Sequence, residues 1–352
     1  MNNANVAATK SMTVNASTLA SNEVFTFSAA AELSGSYTVT GGAAADSLTG
    51  GSGIDTITGG AGNDTIDGGA GNDTLNGGLG IDTITSGAGV DTIDGGAGND
   101  IIISAGNLTS ADTIDGGAGT DTLRVTSITA ANLAGVSNIE TLQLTDAGTA
   151  TLTTDLSFDT IDLTQGTTTE TVTFSTGYAK ATTVKVDVGD VVTNTAADIT
   201  MTVVANSDDM EAADNTLITG SDKTGVVNTL TLTNKGATVD LQTDSSAIDV
   251  INVVDDTTAG NDLTLDLTSY ATALTLDASA LDDGEVLTIT GASAKALTIT
   301  SGAGADTLVL STGNDNISGG AGNDTFTAGT SITYEDTIDG GEGVDTMTTG
   351  IV

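Results

Sequence analysis

The chain has 352 residues, 47 acidic side chains against 7 basic ones and a formal net charge of −40. That balance argues against nucleic acid and anionic membrane surfaces as partners and favours divalent cations. Cys, His, Trp and Pro are all absent, which excludes disulfides, Cys- or His-based metal sites and every catalytic apparatus that needs an imidazole. The length would allow two or three domains, but a repeat protein can be one continuous body.

Residues 1–40 carry apolar alternation at Met12–Asn15 and Val24–Phe27, before SGSYTVT, which predicts one or two strands outside the repeats that follow. They read as a cap over the first coil, with a strand donated to a neighbouring subunit as the alternative. The first residues contain no apolar run of secretory-signal length, and no stretch approaches the roughly 18 apolar residues of a membrane span.

Residues 41–124 form a first block of nonapeptides. Gly50 to Ile103 reads GGSGIDTIT, GGAGNDTID, GGAGNDTLN, GGLGIDTIT, SGAGVDTID, GGAGNDIII, six copies in uninterrupted register. Second- and fourth-place glycines fall at Gly51 and Gly53, Gly60 and Gly62, Gly69 and Gly71, Gly78 and Gly80, Gly87 and Gly89, and Gly96 and Gly98. The sixth place is Asp in every copy: Asp55, Asp64, Asp73, Asp82, Asp91 and Asp100. A degenerate copy before them holds Asp46. After Ile103 a twelve-residue unit, Ser104–Asp115, contains Asp112, and the register then resumes with Gly117, Gly119 and Asp121.

The spacing dictates a sharp turn followed by about three extended residues, because glycine reaches backbone conformations that a side chain penalises. A turn that offers carbonyl oxygens and a carboxylate is a partial cage for Ca²⁺, which takes six to eight oxygen ligands. The eighth-place residues Ile57, Ile66, Leu75, Ile84, Ile93 and Ile102 are expected to stack into two inward ladders, giving a thin core. Stacked carboxylates about 4.8 Å apart repel by roughly 1–3 kcal/mol per pair. Folding of this block is therefore expected to require calcium. Asp67, Asp94, Asp115 and Asp339, at the ninth place or its equivalent, read as surface solubilisers.

Residues 125–300 lose the glycines and lengthen their strands, from a short helical or turn segment near Ala130–Leu133 onward. Runs such as TVTF, TTVKVDV, NTLTLTN, DVINVV, LTLDL, ALTLDA and ALTIT alternate apolar residues with Thr or Asp, the half-buried strand pattern. A β-solenoid is favoured over a sandwich because these runs lead into the second block without a break. Asp208, Asp209, Asp214, Asp255 and Asp256 read as solvated loop residues, with further calcium ligation as the alternative.

Residues 301–352 hold that second block, with Gly302, Gly304 and Asp306, then Gly313 and Asp315, then Gly320, Gly322 and Asp324. A second twelve-residue unit, Ala328–Asp339, contains Asp336 and precedes Gly341, Gly343 and Asp345. Both twelve-residue units carry Asp at the ninth place and end TID, the mark of a duplicated segment. Together these features predict an all-β chain: a right-handed parallel β-roll or β-solenoid with two nonapeptide blocks flanking a longer-stranded middle.

The G-G-x-G-x-D-x-U-x pattern resembles the RTX calcium-binding β-roll family. With DTLRVT and VSNIETLQLT, the blocks also resemble bacterial S-layer proteins. The resemblance implies multiple Ca²⁺ ions as cofactor, type I secretion and an extracellular or cell-surface home. It further implies self-assembly into a sheet or filament, with cell-surface polysaccharide as a further partner. A calcium-stiffened adhesin or glycan-binding module is the alternative function. No enzyme is expected: without His there is neither H-E-x-x-H nor a base for a Ser nucleophile. Acidic pairs such as Asp282 and Asp283 are what chance supplies among 47 acidic residues.

Overall fold

The computed structural model describes residues 10–104, 106, 108–153, 158–165, 169–175, 182–187, 190–194, 201–206, 217–219, 227–236, 238–240, 245–246, 248–255, 257, 260–268, 270, 272–291, 295–329 and 332–350. Asp208, Asp209, Asp214 and Asp256 lie outside them. Among the described residues the chain is all-β, with one short 3₁₀ turn at Asn132–Gly135. It divides into two compact units, residues 1–167 and 168–352.

In the first unit, each coil contributes one short strand to each of two parallel sheets. One sheet runs Ser11–Asn15, Ser36–Thr40, Thr56–Ala61, Thr74–Leu79, Thr92–Ala97, Thr113–Asp115 and Val136–Ser137. The other runs from Thr26–Ser28 through Ser47–Thr49, Thr65–Asp67, Thr83–Thr85 and Ile101–Ile103 to Thr122–Thr129 and Thr141–Leu152. Ile57 stands opposite Leu75 and Ile66 opposite Ile84, so one coil is two nonapeptides.

That register is fixed by the one aliphatic residue per strand. A slip by a single position would turn it out to water. Leu48, Ile66, Ile84, Ile102, Leu123 and Leu142 form one buried ladder; Val39, Ile57, Leu75, Ile93 and Ile114 form the other. Flanking threonines suit extended backbone and face outward. The early strands do not stand outside the roll. Tyr37 pairs with Met12, Val39 with Ile57 and Phe27 with Leu48, so residues 11–40 extend the same two sheets by three further strands.

The second unit keeps parallel pairing with longer and less regular coils. Leu274 faces Leu297 across Leu276 and Ile299, and Leu263 faces Leu287 beside Leu265 and Ile289. Two residues per strand, not one, point into this core, and all eight are buried. The ladder of Leu297–Thr300 continues into Asn316–Ser318 and Thr337–Asp339. That of Leu287–Thr290 continues into Thr307–Val309, Thr325–Gly329 and Thr346–Thr349.

Candidate metal centre

The sixth-place aspartates stack as two columns in the first unit, one for each turn of the coil. In the first, the backbone N–H of Asp46 donates to Asp64 Oδ1 at 2.7 Å and that of Asp64 to Asp82 Oδ1 at 2.7 Å. Asp82 N–H then donates to Asp100, and Asp100 N–H to Asp121. The second column runs from Asp55 through Asp73 and Asp91 to Asp112. In the second unit Asp306, Asp324 and Asp345 form one column, and Asp315 and Asp336 another. One carboxylate oxygen thus staples each coil to the last. All of these aspartates except Asp336 and Asp345 are buried.

The second oxygen divides the turns into two kinds. At Asp46 and Asp55 it accepts the N–H of Gly42 or Gly51 at 2.6–2.7 Å. At Asp64, Asp73, Asp82, Asp100, Asp121 and Asp324 it is buried and has no hydrogen-bond partner. In these six turns the second-place glycine, Gly60, Gly69, Gly78, Gly96, Gly117 or Gly320, lies at φ between +86° and +116°. That conformation aims its N–H elsewhere. Asp67 and Asp115 accept the N–H groups of Gly69 and Gly117 at 3.1 Å, so the ninth-place Asp holds the turn open. Asp339 does the same for Gly341. Their reading as solubilisers alone misses this contact; the two-residue offset to the next glycine was the available signal.

The orphaned oxygens face other oxygens. A Cβ built on Gly59 would meet both Asp64 Oδ2 and the carbonyl of Gly77, and one on Gly77 would meet Asp82 Oδ2 and the carbonyl of Gly95. The first-place glycine therefore keeps open a small space lined by a carboxylate and a carbonyl from the next coil. The G-G doublet carries this requirement in the sequence, yet only its second member stands out there. The carbonyls of the second-place Gly42, Gly51 and Gly69 accept Ala N–H groups. Those of the fourth-place Gly62, Gly71, Gly80 and Gly98 accept no hydrogen bond among the described residues. No cluster of three acidic side chains forms there either. A cation here would be held by one or two carboxylates and by backbone carbonyls, the hard-oxygen set that Ca²⁺ takes.

Burial, and after it the charge of stacked neighbours, pushes the Asp64 and Asp73 carboxyls up to about 7 and Asp82 and Asp121 up to about 6. Asp55, Asp91, Asp100 and Asp324 move the same way, and Asp306 reaches about 6. Unpaired anions at these positions are costly, and among the described residues no Lys or Arg pairs with them. Where the turn is off pattern, the second oxygen is already used. Thr109 N–H donates to Asp112 Oδ2 at 2.7 Å, and Thr333 N–H to Asp336 Oδ2 at 2.5 Å. The twelve-residue duplication thus reproduces one bonding scheme. Ser301 Oγ donates to Asp306, Ser311 N–H to Asp315, and Gly302, Gly304 and Gly313 line those turns. Burial raises Asp336, but N–H groups of Asp315 and Thr333 outweigh it and hold the carboxyl below 3.8.

Two acids outside the repeats, half-buried Glu140 and buried Asp190, extend the pattern. Glu140 accepts the Asp121 N–H at 2.8 Å and takes the next rung of that column. Asp190 accepts the Glu170 N–H at 3.0 Å and is pushed up by burial, then by the neighbouring Glu170. Asp255 caps its own loop through the Thr257 N–H.

Stacked glycine turns joined by inward carboxylates, on in-register parallel strands, define a β-roll with acidic, oxygen-lined turns. A scan against known protein families agrees. It matches the RTX calcium-binding nonapeptide repeat (4 copies) at residues 40–75, 67–102, 109–125, 300–330 and 333–351, so both blocks are RTX repeats, and such repeats bind calcium. A search of curated proteins found no match. Among the described residues no helix is long and apolar enough to cross a membrane.

Proposed function

We propose that this chain is a secreted structural protein whose folding and self-assembly are switched on by extracellular calcium, as in an S-layer or filament subunit, and that it carries no catalysis. The observation behind this reading is the set of six buried, partnerless Asp oxygens facing backbone carbonyls. Such turns are unfavourable without a cation. At cytosolic calcium the rolls stay unfolded, a form suited to type I export. Outside the cell, sites of extracellular affinity, about 10⁻⁴–10⁻³ M, fill and the rolls close. Calcium supplies the positive charge; the chain's own aspartates and glycine carbonyls hold it and bring successive coils into register.

Contact between copies is supported by exposed aliphatics on the turns of each unit. Ile54, Leu79, Ile81, Val90 and Val344 stand out beside the acidic columns, where a monomer would gain from polar residues. Electron microscopy of the purified chain, with and without millimolar calcium, tests the proposal. Sheets or filaments that vanish with chelator are expected; particles that stay monomeric at high concentration in calcium would overturn it.

A further inference from the structure

The coil that precedes the recognised repeats contains a turn of the same build with different chemistry. Glu32 lies 18 residues before Gly50 and Tyr37 lies 18 before Asp55, the spacing of one coil. The Tyr37 N–H donates to Asp55 Oδ1 at 2.7 Å, so Tyr37 occupies an aspartate's place in the column. Gly35, at φ +100°, takes the fourth glycine's place, and its carbonyl lies against Gly53. Here the carboxylate has moved from the sixth residue of the turn to the first.

Glu32 is fully buried, and neither Oε1 nor Oε2 has a hydrogen-bond partner. The Tyr37 hydroxyl is also buried and unpartnered, in the field of both Glu32 and Asp55. Among the described residues no Lys or Arg pairs with Glu32. The Gly51 N–H is already committed to Asp55 Oδ2 at 2.7 Å, and the Glu32 carbonyl accepts the Ser52 N–H at 3.1 Å, so the two turns are locked face to face. Buried charge of this kind must be neutralised by a proton or a cation. A proton would leave two buried O–H groups, on Glu32 and Tyr37, that make no hydrogen bond in this arrangement. A cation satisfies the carboxylate and phenol oxygens together.

We propose that Glu32, with Tyr37 and Asp55 beside it, forms a further calcium site that closes the start of the first roll, in a coil without the repeat signature. The hard carboxylate, phenol and carbonyl oxygens suit Ca²⁺ and not a softer metal. The site rests on the calcium reading of the rolls, and the test separates the two. Bound calcium is counted by elemental analysis of the full chain dialysed against millimolar calcium, for the parent and for Glu32→Gln. One ion fewer per chain in the variant is expected. An equal count overturns the site while leaving the calcium rolls standing; a parent that binds none overturns both.

Should Glu32→Gln fail to fold, Tb³⁺ provides the second measurement. The chain has four tyrosines and no tryptophan, so an ion at Glu32 is sensitised by Tyr37. Tyr37→Phe, which leaves both carboxylates in place, is expected to lower tyrosine-excited Tb³⁺ emission measurably. Emission equal to the parent's overturns the site.

Discussion

Replacing Asp64 by Asn should act in opposite directions with and without calcium. The Asp64 carboxyl rises from 3.8 to about 7 in the folded, metal-free roll. At about 1.4 kcal/mol for each tenfold, keeping it ionised at pH 8 costs about 4 kcal/mol. The sign follows from linkage: with the folded value above the unfolded one, this group's contribution is complete below pH 3.8 and is lost as pH rises through 7. Asparagine is neutral at every pH. Its Oδ1 still accepts the Asp46 N–H, and its amide NH₂ replaces the orphaned oxygen that faces the Gly77 carbonyl. In EDTA at pH 8 the variant roll should therefore be more stable by up to about 4 kcal/mol, with the advantage vanishing near pH 4. In saturating calcium the variant should be the less stable one, because an anionic ligand is gone. Urea unfolding followed by circular dichroism, at pH 4, 6 and 8, with and without calcium, measures all of this. A variant destabilised in EDTA at pH 8 would refute the idea that the buried charge, and not lost packing, sets the calcium requirement.

The two kinds of core should separate under chelation: hydrogen exchange in EDTA is expected to leave amides of 263–266, 274–277, 287–290 and 297–300 protected while those of 56–103 exchange, and uniform exchange would refute it. Gly80 sits at φ +130°, and a Cβ placed there would run into the Gly62 carbonyl; Gly80→Ala should cost at least about 1–3 kcal/mol by thermal unfolding in calcium. Gly106, at φ +72° with open space around it, should accept Asn within about 0.5 kcal/mol. Asp336 behaves oppositely to Asp64. With its folded value below 3.8, its contribution is present above that value and is lost as pH falls through the folded one, so the destabilisation by Asp336→Asn in calcium should be clear at pH 6 and fade below 3.8.

The sequence was most legible where one residue does one job. Eighth-place aliphatics and sixth-place aspartates recur every nine residues, so both ladders and both carboxylate columns could be drawn before any coordinates. The middle was legible only as strands. Thr and Asp alternate with Leu, Ile or Val there, which shows that a run is half-buried but not which run it pairs with. Coils of irregular length, such as that from Leu274 to Leu297, leave no period to count. The first coil was harder still. Glu32 and Tyr37 exchange the places of Gly and Asp, so pattern matching passes over a turn that the parallel register puts in line with Gly50 and Asp55. The split between open and closed turns depends on glycine φ, which identical G-G-x-G-x-D letters do not encode.

A single nonapeptide shows why the metal decides the sign of folding. Burying its one Ile or Leu contributes about 1.5–3 kcal/mol, while an ionised Asp73, raised from 3.8 to about 7, costs about 4 kcal/mol at pH 8. The cost exceeds the gain by roughly 1–2.5 kcal/mol before any backbone entropy is counted, and adding nonapeptides repeats the same deficit. Length alone therefore cannot stabilise a metal-free roll. The strands at 263–300 bury two aliphatics each and meet the second unit's aspartate columns only at their first rungs, where the Leu287 and Leu297 N–H groups donate to Asp306 and Asp315. With that difference, the proposed calcium switch gives one chain two folding regimes: a core that forms on apolar burial, and rolls that close when a divalent cation replaces the missing counter-charge.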